Sequence, residues 1–554
     1  MGVLQQLKMR MEDKKNNRWL LFLCFISFSS IIILILSGDK QPNDINRFLR
    51  YIVLPPIIFF LSTLLSTIFI QKIKLLAKTI SIKAILSIFL IFIISFFSLI
   101  KHQKYQSYNY EFYDLGLYLA KISQLANHDV FNGVFFLISS GHFQPYLFLF
   151  SFISKITGSY FFVLLCQTFL IFSAVVPLFM LAKKKIKSEV VALIISLSYL
   201  VFPALLFSDV LGFHPDHLVL ISLLWAFYFS YERRYLCAFY SILPILLAGE
   251  LLYPTAMAFG LYLWLEHKKL SLFLAINLIF SFAFLSILFI KNQQIDTHVY
   301  SQIIQVNDEG NNIFSSYLWM FNSSLNEVLS TLITGPRYIF ILFLVMPFIY
   351  LYYKNWFILL VAVPDLTKTL LSNETFHHSI EGHYSYAIIA VFFVGFVINI
   401  SRQKLIYAEK IAAMSFITVF CLGIVHSPLP YSLDFFTNFS SGTFNYKQYQ
   451  KNLGYDEIIM INKATNDYGC KSISVSNTSF SSLFLVDKTV EVFPGARWMQ
   501  CAVVVKKSDF VNPSPGKDKL EKKDLVNFYI QKDKLFQNYK LHLETDRYKL
   551  FLKK

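Results

Sequence analysis

Long apolar runs separated by short polar turns occupy most of the first 425 residues. Runs of about 15 to 23 apolar residues have the length that an α-helix needs to cross a bilayer. The stretch 132–156 is apolar as well, but Gly141, His142 and Pro145 interrupt it, so we interpret it as re-entrant or interfacial. The pattern predicts about thirteen crossings, near residues 19–37, 48–70, 80–100, 159–182, 188–208, 215–231, 235–249, 252–266, 270–290, 337–353, 356–371, 384–400 and 408–425.

Beyond residue 425, polar residues and turn formers replace the apolar runs. Short strands are predicted at 472–476, 490–493 and 501–505, with a helix at 479–485. We therefore predict an all-α polytopic membrane protein that ends in a small extracytoplasmic α/β domain. Its predicted parts are an N-terminal tail with two additional helices (1–79), a transmembrane core (80–425) whose outer loop covers 101–158, and the α/β domain (426–554).

The composition excludes several classes of protein. Only 15% of the residues are charged, 55% are hydrophobic, and the mean hydropathy is +0.52. A soluble globular protein has about 25% charged residues. Because this chain cannot cover a water-facing surface with polar groups, a soluble enzyme, a secreted disulfide scaffold and a disordered protein are excluded.

The formal net charge of +16 comes from clusters in short loops and in the C-terminal tail. Lysines and arginines recur in alternate loops, such as 183–187 and 233–234, whereas the loops near 209–217 and 372–383 have none. The positive-inside rule therefore predicts a protein of the inner membrane with its N-terminus in the cytoplasm and its C-terminal domain outside. Since no basic stripe alternates with stacking aromatic residues, no nucleic-acid partner is expected.

Ionisable residues gather at the predicted outer face, where they are costly at the ends of spans unless they serve a site. Asp114 is either a general base at the membrane surface or the N-cap of a surface helix. His142 either binds a phosphate or sugar hydroxyl or satisfies a carbonyl freed by Pro145. Glu250 is either functional or an exposed acid at a hairpin tip. The outer set comprises Asp114, His142, His214, Asp216, His217, Glu250, His377, His378, Glu381 and His383.

Two histidine groups raise the question of a metal. His214 and His217 are three residues apart, as two ligands on one helical turn would be, with Asp216 nearby. Alternatively, Pro215 starts the following helix and Asp216 suits its first turn. The group at 377–383 matches no strong zinc motif. The sequence contains no nucleotide-binding loop, dinucleotide fingerprint or Ser-His-Asp signature.

Five elements follow one another in order along the chain. They are Tyr113-Asp114-Leu115-Gly116; His142-Phe143-Gln144-Pro145; Phe213-His214-Pro215-Asp216; Pro364-Asp365-Leu366 with His383-Tyr384-Ser385; and Ile473-Ser474-Val475-Ser476-Asn477 with Val492-Phe493-Pro494. Together they resemble a family of uncharacterised prokaryotic multispanning proteins, domain of unknown function 2079, over about residues 80–510. The chain departs from that family at Gly212, where many members have Asp, and beside Glu250, where many have Lys before and Asp after the acid.

That family is similar to the C-superfamily of glycosyltransferases, the GT-C fold, whose members use polyprenyl-phosphate sugars. The resemblance implies a catalytic acid in the first outer loop, where Asp114 lies. Asp114 would act as general base in an inverting transfer of the sugar to an extracytoplasmic glycan or protein acceptor. His142, His214 and Glu250 would orient the sugar or the phosphate. The remaining candidates for substrate binding are Asp216, Arg337 and His383.

The departing phosphate needs positive charge or hydrogen-bond donors. Lys101, Lys104, Arg337, a histidine or a divalent metal could each provide them, and the sequence does not choose among these. No cofactor is required by any motif. The expected partners are a polyprenyl-phosphate sugar and the lipid bilayer.

Two other functions stay open. A transporter or flippase of a lipid-linked saccharide would place paired broken helices around a midplane site. A non-catalytic envelope scaffold would depend on the outer domain alone. Independently of function, Cys470 and Cys501 would begin neighbouring parallel strands in an oxidising compartment, close enough for a disulfide.

Overall fold

The structure is a computed structural model of the whole chain. It describes residues 54–106, 113–126, 129–139, 142–294, 335–348, 356–371, 377, 379, 380, 382, 384–429, 432, 455–470, 472–476, 489–493, 501–506, 535 and 537–554. The predicted first span at 19–37, the predicted helix at 479–485, and His378, Glu381 and His383 lie outside the described residues.

Helices account for nearly all of the described chain up to residue 425. They are α1 (Leu54–Thr79), α2 (Ile82–Gln106), α3 (Tyr113–Leu125), α4 (Val130–Ser139), α5 (Tyr146–Thr157), α6 (Phe161–Ser173), α7 (Val175–Ile186), α8 (Glu189–Leu200), α9 (Pro203–Leu211), α10 (His217–Tyr231), α11 (Tyr235–Ile242), α12 (Ile245–Ala248), α13 (Tyr253–His267), α14 (Leu270–Gln294), α15 (Gly335–Val345), α16 (Val363–Leu371), α17 (Tyr386–Ile400) and α18 (Leu405–Val425). Short 3₁₀ turns occupy Glu250–Leu252, Met346–Phe348 and Trp356–Val361.

Proline, glycine and capping residues divide the apolar runs into these helices. Gly158 ends α5 in the left-handed conformation, and Ser188 caps α8 by accepting a hydrogen bond from the Val191 backbone N–H. Pro203 lies in the first turn of α9, where its missing N–H costs nothing, and α8 and α9 meet at a bend of 42°.

Only some of the helices have the length and composition of a complete crossing. Among the described residues these are Ile82–Gln106, Phe161–Ile186, Leu270–Ile290 and Leu405–Val425, with the bent pair α8–α9 as a fifth. The thirteen predicted crossings are therefore not confirmed. The physical reason is length: α10 and α17 each have 15 residues, about 22 Å of helix against a hydrocarbon core of about 30 Å.

The helices pack as a bundle with a lipid-type surface. Helix α18 packs on α1, α6 on α2, α14 on α13, and α17 on both α10 and α7. Every residue of α17 is buried, whereas α2 and α14 expose apolar side chains such as Ile91 and Phe282. Large exposed apolar faces on long helices are typical of membrane spans, so the predicted helical membrane protein is confirmed in this coarser form.

The basic turns meet at one end of the bundle. The Lys185 ammonium lies 4.1 Å from the centre of the Tyr231 ring, and that of Lys269 lies 4.4 Å from the centre of the Tyr235 ring. The turns at 183–187, 233–234 and 268–269 therefore share one face, as the charge pattern predicts. Which face of the membrane this is stays a prediction.

The C-terminal region forms a small α/β unit. Helix α19 (Tyr455–Asp467) precedes strands β1 (Ser472–Ser476), β2 (Thr489–Phe493), β3 (Ala502–Lys506), β4 (Tyr539–Glu544) and β5 (Tyr548–Lys553). The sheet has the order β2-β1-β3-β5-β4, with β1 parallel to β2 and β3, and β5 antiparallel to β3 and β4. The three predicted strands correspond to β1, β2 and β3 within one residue.

One covalent bond holds this unit together, and one contact places it on the bundle. A disulfide joins Cys470, just before β1, to Cys501, just before β3, with their Cα atoms 5.4 Å apart. Strand β2 lies against α3, the helix that begins in the predicted outer loop. The α/β unit therefore lies at the end of the bundle that carries α3.

Candidate functional site

A cluster of loops at one end of the bundle brings together four of the sequence motifs. The loop 212–216, which we call the Gly212 loop, joins α9 to α10 and begins at a glycine with φ of +152° and ψ of −150°. Side chains with a Cβ avoid this conformation. A Cβ on Gly212 would also lie 3.4 Å from the Cβ of Leu115 in α3, so the loop packs directly on the helix that carries Asp114.

Glu250 contacts the motif that contains His142 and Phe143. It follows Gly249, whose φ of +144° again requires glycine, and only 4% of its surface is exposed. Its carboxylate accepts a hydrogen bond of 2.8 Å from the Phe143 backbone N–H and lies 3.2 Å from Nδ1 of His142. Glu250 is therefore not an exposed acid at a hairpin tip. It holds the loop that carries His142.

Aromatic rings pack against one another around these loops. The Tyr118 ring lies 5.8 Å from the Phe213 ring and 5.7 Å from the His214 ring, both edge-on. The Tyr146 ring lies 5.6 Å from that of His217. Edge-to-face pairs of this kind stabilise a packed geometry. The rings thus join α3 to the Gly212 loop, and α5 to the first residue of α10.

The geometry of His217 bears on the question of a metal. Its Nδ1 lies 2.5 Å from the carbonyl oxygen of His214, and because a carbonyl only accepts, Nδ1 carries the proton. One ring nitrogen of His217 is thus committed to the backbone. Among the described residues, no three His, Cys, Asp or Glu side chains form a group that could hold a metal ion.

Burial, and secondarily the surrounding charges, shift the pKa values of Asp216 and His214. Burial raises the pKa of the half-buried Asp216 carboxyl to about 6; the positive charges of Lys368 and His142 oppose this rise, and the negative charges of Asp365 and Glu250 add to it. Burial lowers the pKa of His214 to about 3, so its imidazole is neutral at physiological pH. The electrostatic environment of Asp216 thus depends on three other parts of the chain: the α16 segment, His142 and Glu250.

Beneath the loops, a buried ion pair ties α2 to α9. Nζ of Lys101 lies 2.6 Å from a carboxylate oxygen of Asp209, and neither side chain is exposed. Lys101 also donates to the Leu164 carbonyl at 3.2 Å, and Thr168 donates to Asp209 at 3.1 Å. Lys104, also buried, donates to the Val210 carbonyl at 3.3 Å. Lys101, a candidate for the phosphate, is thus engaged with an acid inside the bundle.

The segment around α16 supplies further charge. Lys368 pairs with Asp365 at 3.2 Å and lies 5.9 Å from the centre of the Tyr384 ring. Arg337 is buried and donates from Nε to the Leu370 carbonyl at 2.6 Å, at the end of α16. Arg337 therefore stabilises the end of a helix in this structure. The positive charge of Lys368, by contrast, acts on Asp216 and lowers its pKa.

Several of the predicted site residues thus come together. His142 contacts Glu250, while His214 and Asp216 share the Gly212 loop. Asp114 lies in the first turn of α3, one residue before Leu115, which packs on that loop; its side chain is outside the described residues. Asp114 is the second residue of α3 and not the residue that precedes the helix, so a structural role there would be to stabilise the helix N-terminus through its negative charge. The base and this structural role both stay open.

Sequence reasoning missed Asp209, Gln167 and Lys368. Asp209 lies within the apolar segment of α9, and Lys101 lies at the end of another apolar run. Charges in such places are rare and are usually paired, which is the signal that could have linked them. Gln167 carries no comparable signal, because a single amide in an apolar helix is common.

The comparisons with known proteins agree with this helical architecture. No curated protein matches the sequence. A family model described as predicted membrane protein (DUF2079) matches residues 104–455, from the last turn of α2 to the start of α19. The match includes α3, Gly212, Gly249 and the α16 segment, and it confirms the resemblance that the motifs indicate. The chain therefore belongs to the DUF2079 family of membrane proteins.

Proposed function

We propose that this protein is a glycosyltransferase of the inner membrane that moves a sugar from a polyprenyl-phosphate donor to an acceptor outside the cytoplasm. The observation that carries the proposal is the convergence of the motif loops at the end of the bundle opposite the lysine-rich turns. Carboxylates and aromatic rings, the groups gathered there, suit a ligand rich in hydroxyl groups. The likeness to the GT-C fold rests on sequence resemblance and is part of the proposal.

The proposed reaction is a displacement at the anomeric carbon. Asp114 takes the proton of the acceptor hydroxyl as that oxygen attacks the anomeric carbon. The bond between that carbon and the phosphate oxygen breaks, polyprenyl phosphate leaves with the electron pair, and the configuration inverts. Glu250 and His142 would orient the sugar by hydrogen bonds. A carboxylate base needs no raised pKa, because it must be ionised at neutral pH.

The decisive experiment compares a deletion strain complemented with wild-type protein, with Asp114→Asn or with Asp129→Asn, at matched protein levels. Asp129 is the matched control, because it caps α4 in the same loop, accepting a hydrogen bond of 2.8 Å from the Asn132 N–H. Envelope glycans and lipid-linked sugars are measured by mass spectrometry. We expect Asp114→Asn alone to lose one glycan and accumulate its lipid-linked donor. If Asp114→Asn behaves like Asp129→Asn, Asp114 only stabilises the start of α3 and the transferase proposal fails.

One observation favours transport as the second candidate. The helix pair α8–α9 bends by 42° beside the buried Lys101–Asp209 pair, and broken helices with buried charge are typical of transporters. A flippase would retain its activity with Asp114→Asn. Movement of a fluorescent lipid-linked saccharide across proteoliposomes, retained in that variant, would favour this second function.

A further inference from the structure

The position of the Gly212 loop depends on one amide side chain. Gln167 of α6 is wholly buried and spans the loop: its Nε2 donates to the Gly212 carbonyl at 2.5 Å, and its Oε1 accepts from the His214 backbone N–H at 2.7 Å. Because an N–H only donates and a carbonyl only accepts, both bonds fix the same orientation of the amide. The side chain thus gives this irregular backbone the partners that a neighbouring strand would supply.

The amide itself is held in place by the ion pair beneath it. Thr168, the next residue of α6, donates to Asp209, which pairs with Lys101. Lys101 in turn donates to the carbonyl of Leu164, one turn earlier in α6. Helices α2, α6 and α9 are therefore locked in register immediately below the loop. This fixes where the Gln167 amide can reach.

The position of the loop is transmitted to α3. Gly212 packs on Leu115, and Tyr118, one turn further along α3, contacts both Phe213 and His214. A shift of the loop would therefore move the first turn of α3, where Asp114 lies. We propose that Gln167 is the positioning residue that sets the Gly212 loop and, through it, the start of α3. Its catalytic consequence rests on the proposed transferase function.

The first test does not depend on activity. Gln167→Met keeps the length of the side chain but removes both hydrogen bonds, and Gln167→Asn keeps the amide but is one methylene shorter. The control is Asn277→Met, because the Asn277 amide donates to carbonyls of α13 and α14, away from the loop. Hydrogen–deuterium exchange of the full-length protein in detergent is followed by mass spectrometry in peptides that cover 205–220 and 113–125.

We expect amide exchange of the Gly212 loop to become about tenfold faster in both Gln167 variants, with faster exchange also at the start of α3. The Asn277 variant should match wild type in both peptides. Unchanged exchange in either folded Gln167 variant would overturn the inference, whatever the protein catalyses. If Gln167→Met does not fold, Gln167→Asn decides the question alone.

The second test separates the inference from the proposed function. The donor is the lipid-linked sugar that accumulates in the deletion strain, purified from that strain. With it, a positioning role predicts that kcat per folded molecule falls about tenfold or more in the Gln167 variants, with the donor KM nearly unchanged. A purely structural role would lower the amount of folded protein but not kcat. Faster exchange with an unchanged kcat would overturn the catalytic part. Faster exchange together with an inactive wild-type protein would refute the transferase function and leave the positioning of the loop standing.

Discussion

At the scale of single residues, the Lys101–Asp209 pair should matter most for stability, because both charges are fully buried. Lys101→Met would leave Asp209 buried without its counter-ion, which costs about 3–5 kcal/mol. The double variant Lys101→Met/Asp209→Asn, which removes both charges, should recover most of that loss. Thermal unfolding in detergent, followed by tryptophan fluorescence, measures the difference. A double variant less stable than Lys101→Met alone would contradict this account.

The two positive-φ glycines that can be compared, Gly212 and Gly158, differ in their surroundings. A methyl group on Gly212 would lie in van der Waals contact with Leu115, at 3.4 Å from its Cβ, whereas nothing lies within 4 Å of one on Gly158. We expect Gly158→Ala to cost about 1 kcal/mol, from the left-handed backbone alone, and Gly212→Ala to cost about 1–3 kcal/mol. Only Gly212→Ala should lose transfer activity among the folded molecules. Equal effects of the two variants on activity would contradict the role of the loop.

The raised pKa of Asp216 predicts a dependence of stability on pH. The folded chain holds this proton up to a pKa of about 6, whereas the ordinary value is 3.8. Between these values the folded state binds more protons than the unfolded state, so its stability falls as the pH rises from about 4 to 6. Asp216→Asn, which cannot ionise, should remove that fall. Melting temperatures at pH 4, 5, 6 and 7.5 should therefore converge with wild type at pH 4 and exceed it at pH 7.5; parallel curves would refute the assignment.

The sequence predicts which ionisable residues lie at one face of the membrane, but it does not predict which of them are in contact. His142 and Glu250 are separated by 108 positions, as are Lys101 and Asp209. Such pairs form only when the helices between them are packed, so a single sequence cannot specify them. The positive φ at Gly212 and Gly249 cannot be predicted from the sequence either, because it is required by the packing of the bundle.

At the scale of secondary-structure elements, apolar runs predict helices well and their interruptions less well. The predicted spans at 270–290 and 408–425 correspond closely to α14 and α18. The predicted span 188–208 is instead two helices, because Pro203 starts a new one after the bend. Strands β4 and β5 were not predicted, although both begin Tyr-Lys-Leu and β4 alternates apolar with polar residues throughout, which is the pattern of a half-buried strand.

The disulfide between Cys470 and Cys501 should stabilise the α/β unit. It closes a loop between residues that are 31 positions apart, and closing a loop of this size in the unfolded chain is worth about 3–4 kcal/mol. Cys470→Ser/Cys501→Ser should therefore expose the C-terminal unit to limited proteolysis while the helical bundle stays resistant. Thiol labelling of the denatured, unreduced wild-type protein checks the bond itself. Two labelled sulfurs in that assay would show that it does not form.

At the scale of the whole molecule, the gathering of basic residues at one end of the bundle could be predicted, because lysines and arginines occur in alternate loops of the sequence. The number of crossings could not, because hydropathy counts apolar residues and not the turns that shorten helices. Four or five candidate spans lie among the described residues, and the shorter helices α10 and α17 pack inside the bundle. The charge distribution predicts the sidedness of the protein in the membrane.

That sidedness gives the last prediction. Lys268 ends α13 at the basic end of the bundle, and Lys463 is exposed on α19 of the α/β unit. We expect a membrane-impermeant maleimide to label Lys463→Cys in intact spheroplasts and Lys268→Cys only after permeabilisation, because positively charged turns are retained in the cytoplasm.

Both variants belong in a background in which Cys24, Cys166, Cys237 and Cys421 are replaced by serine or alanine, with the disulfide left intact. The background without either new cysteine controls for labelling of the disulfide pair. If Lys268→Cys were labelled first, the site loops would face the cytoplasm. A polyprenyl-phosphate sugar presented outside could not then reach Asp114, so the proposed function would fail together with the predicted orientation.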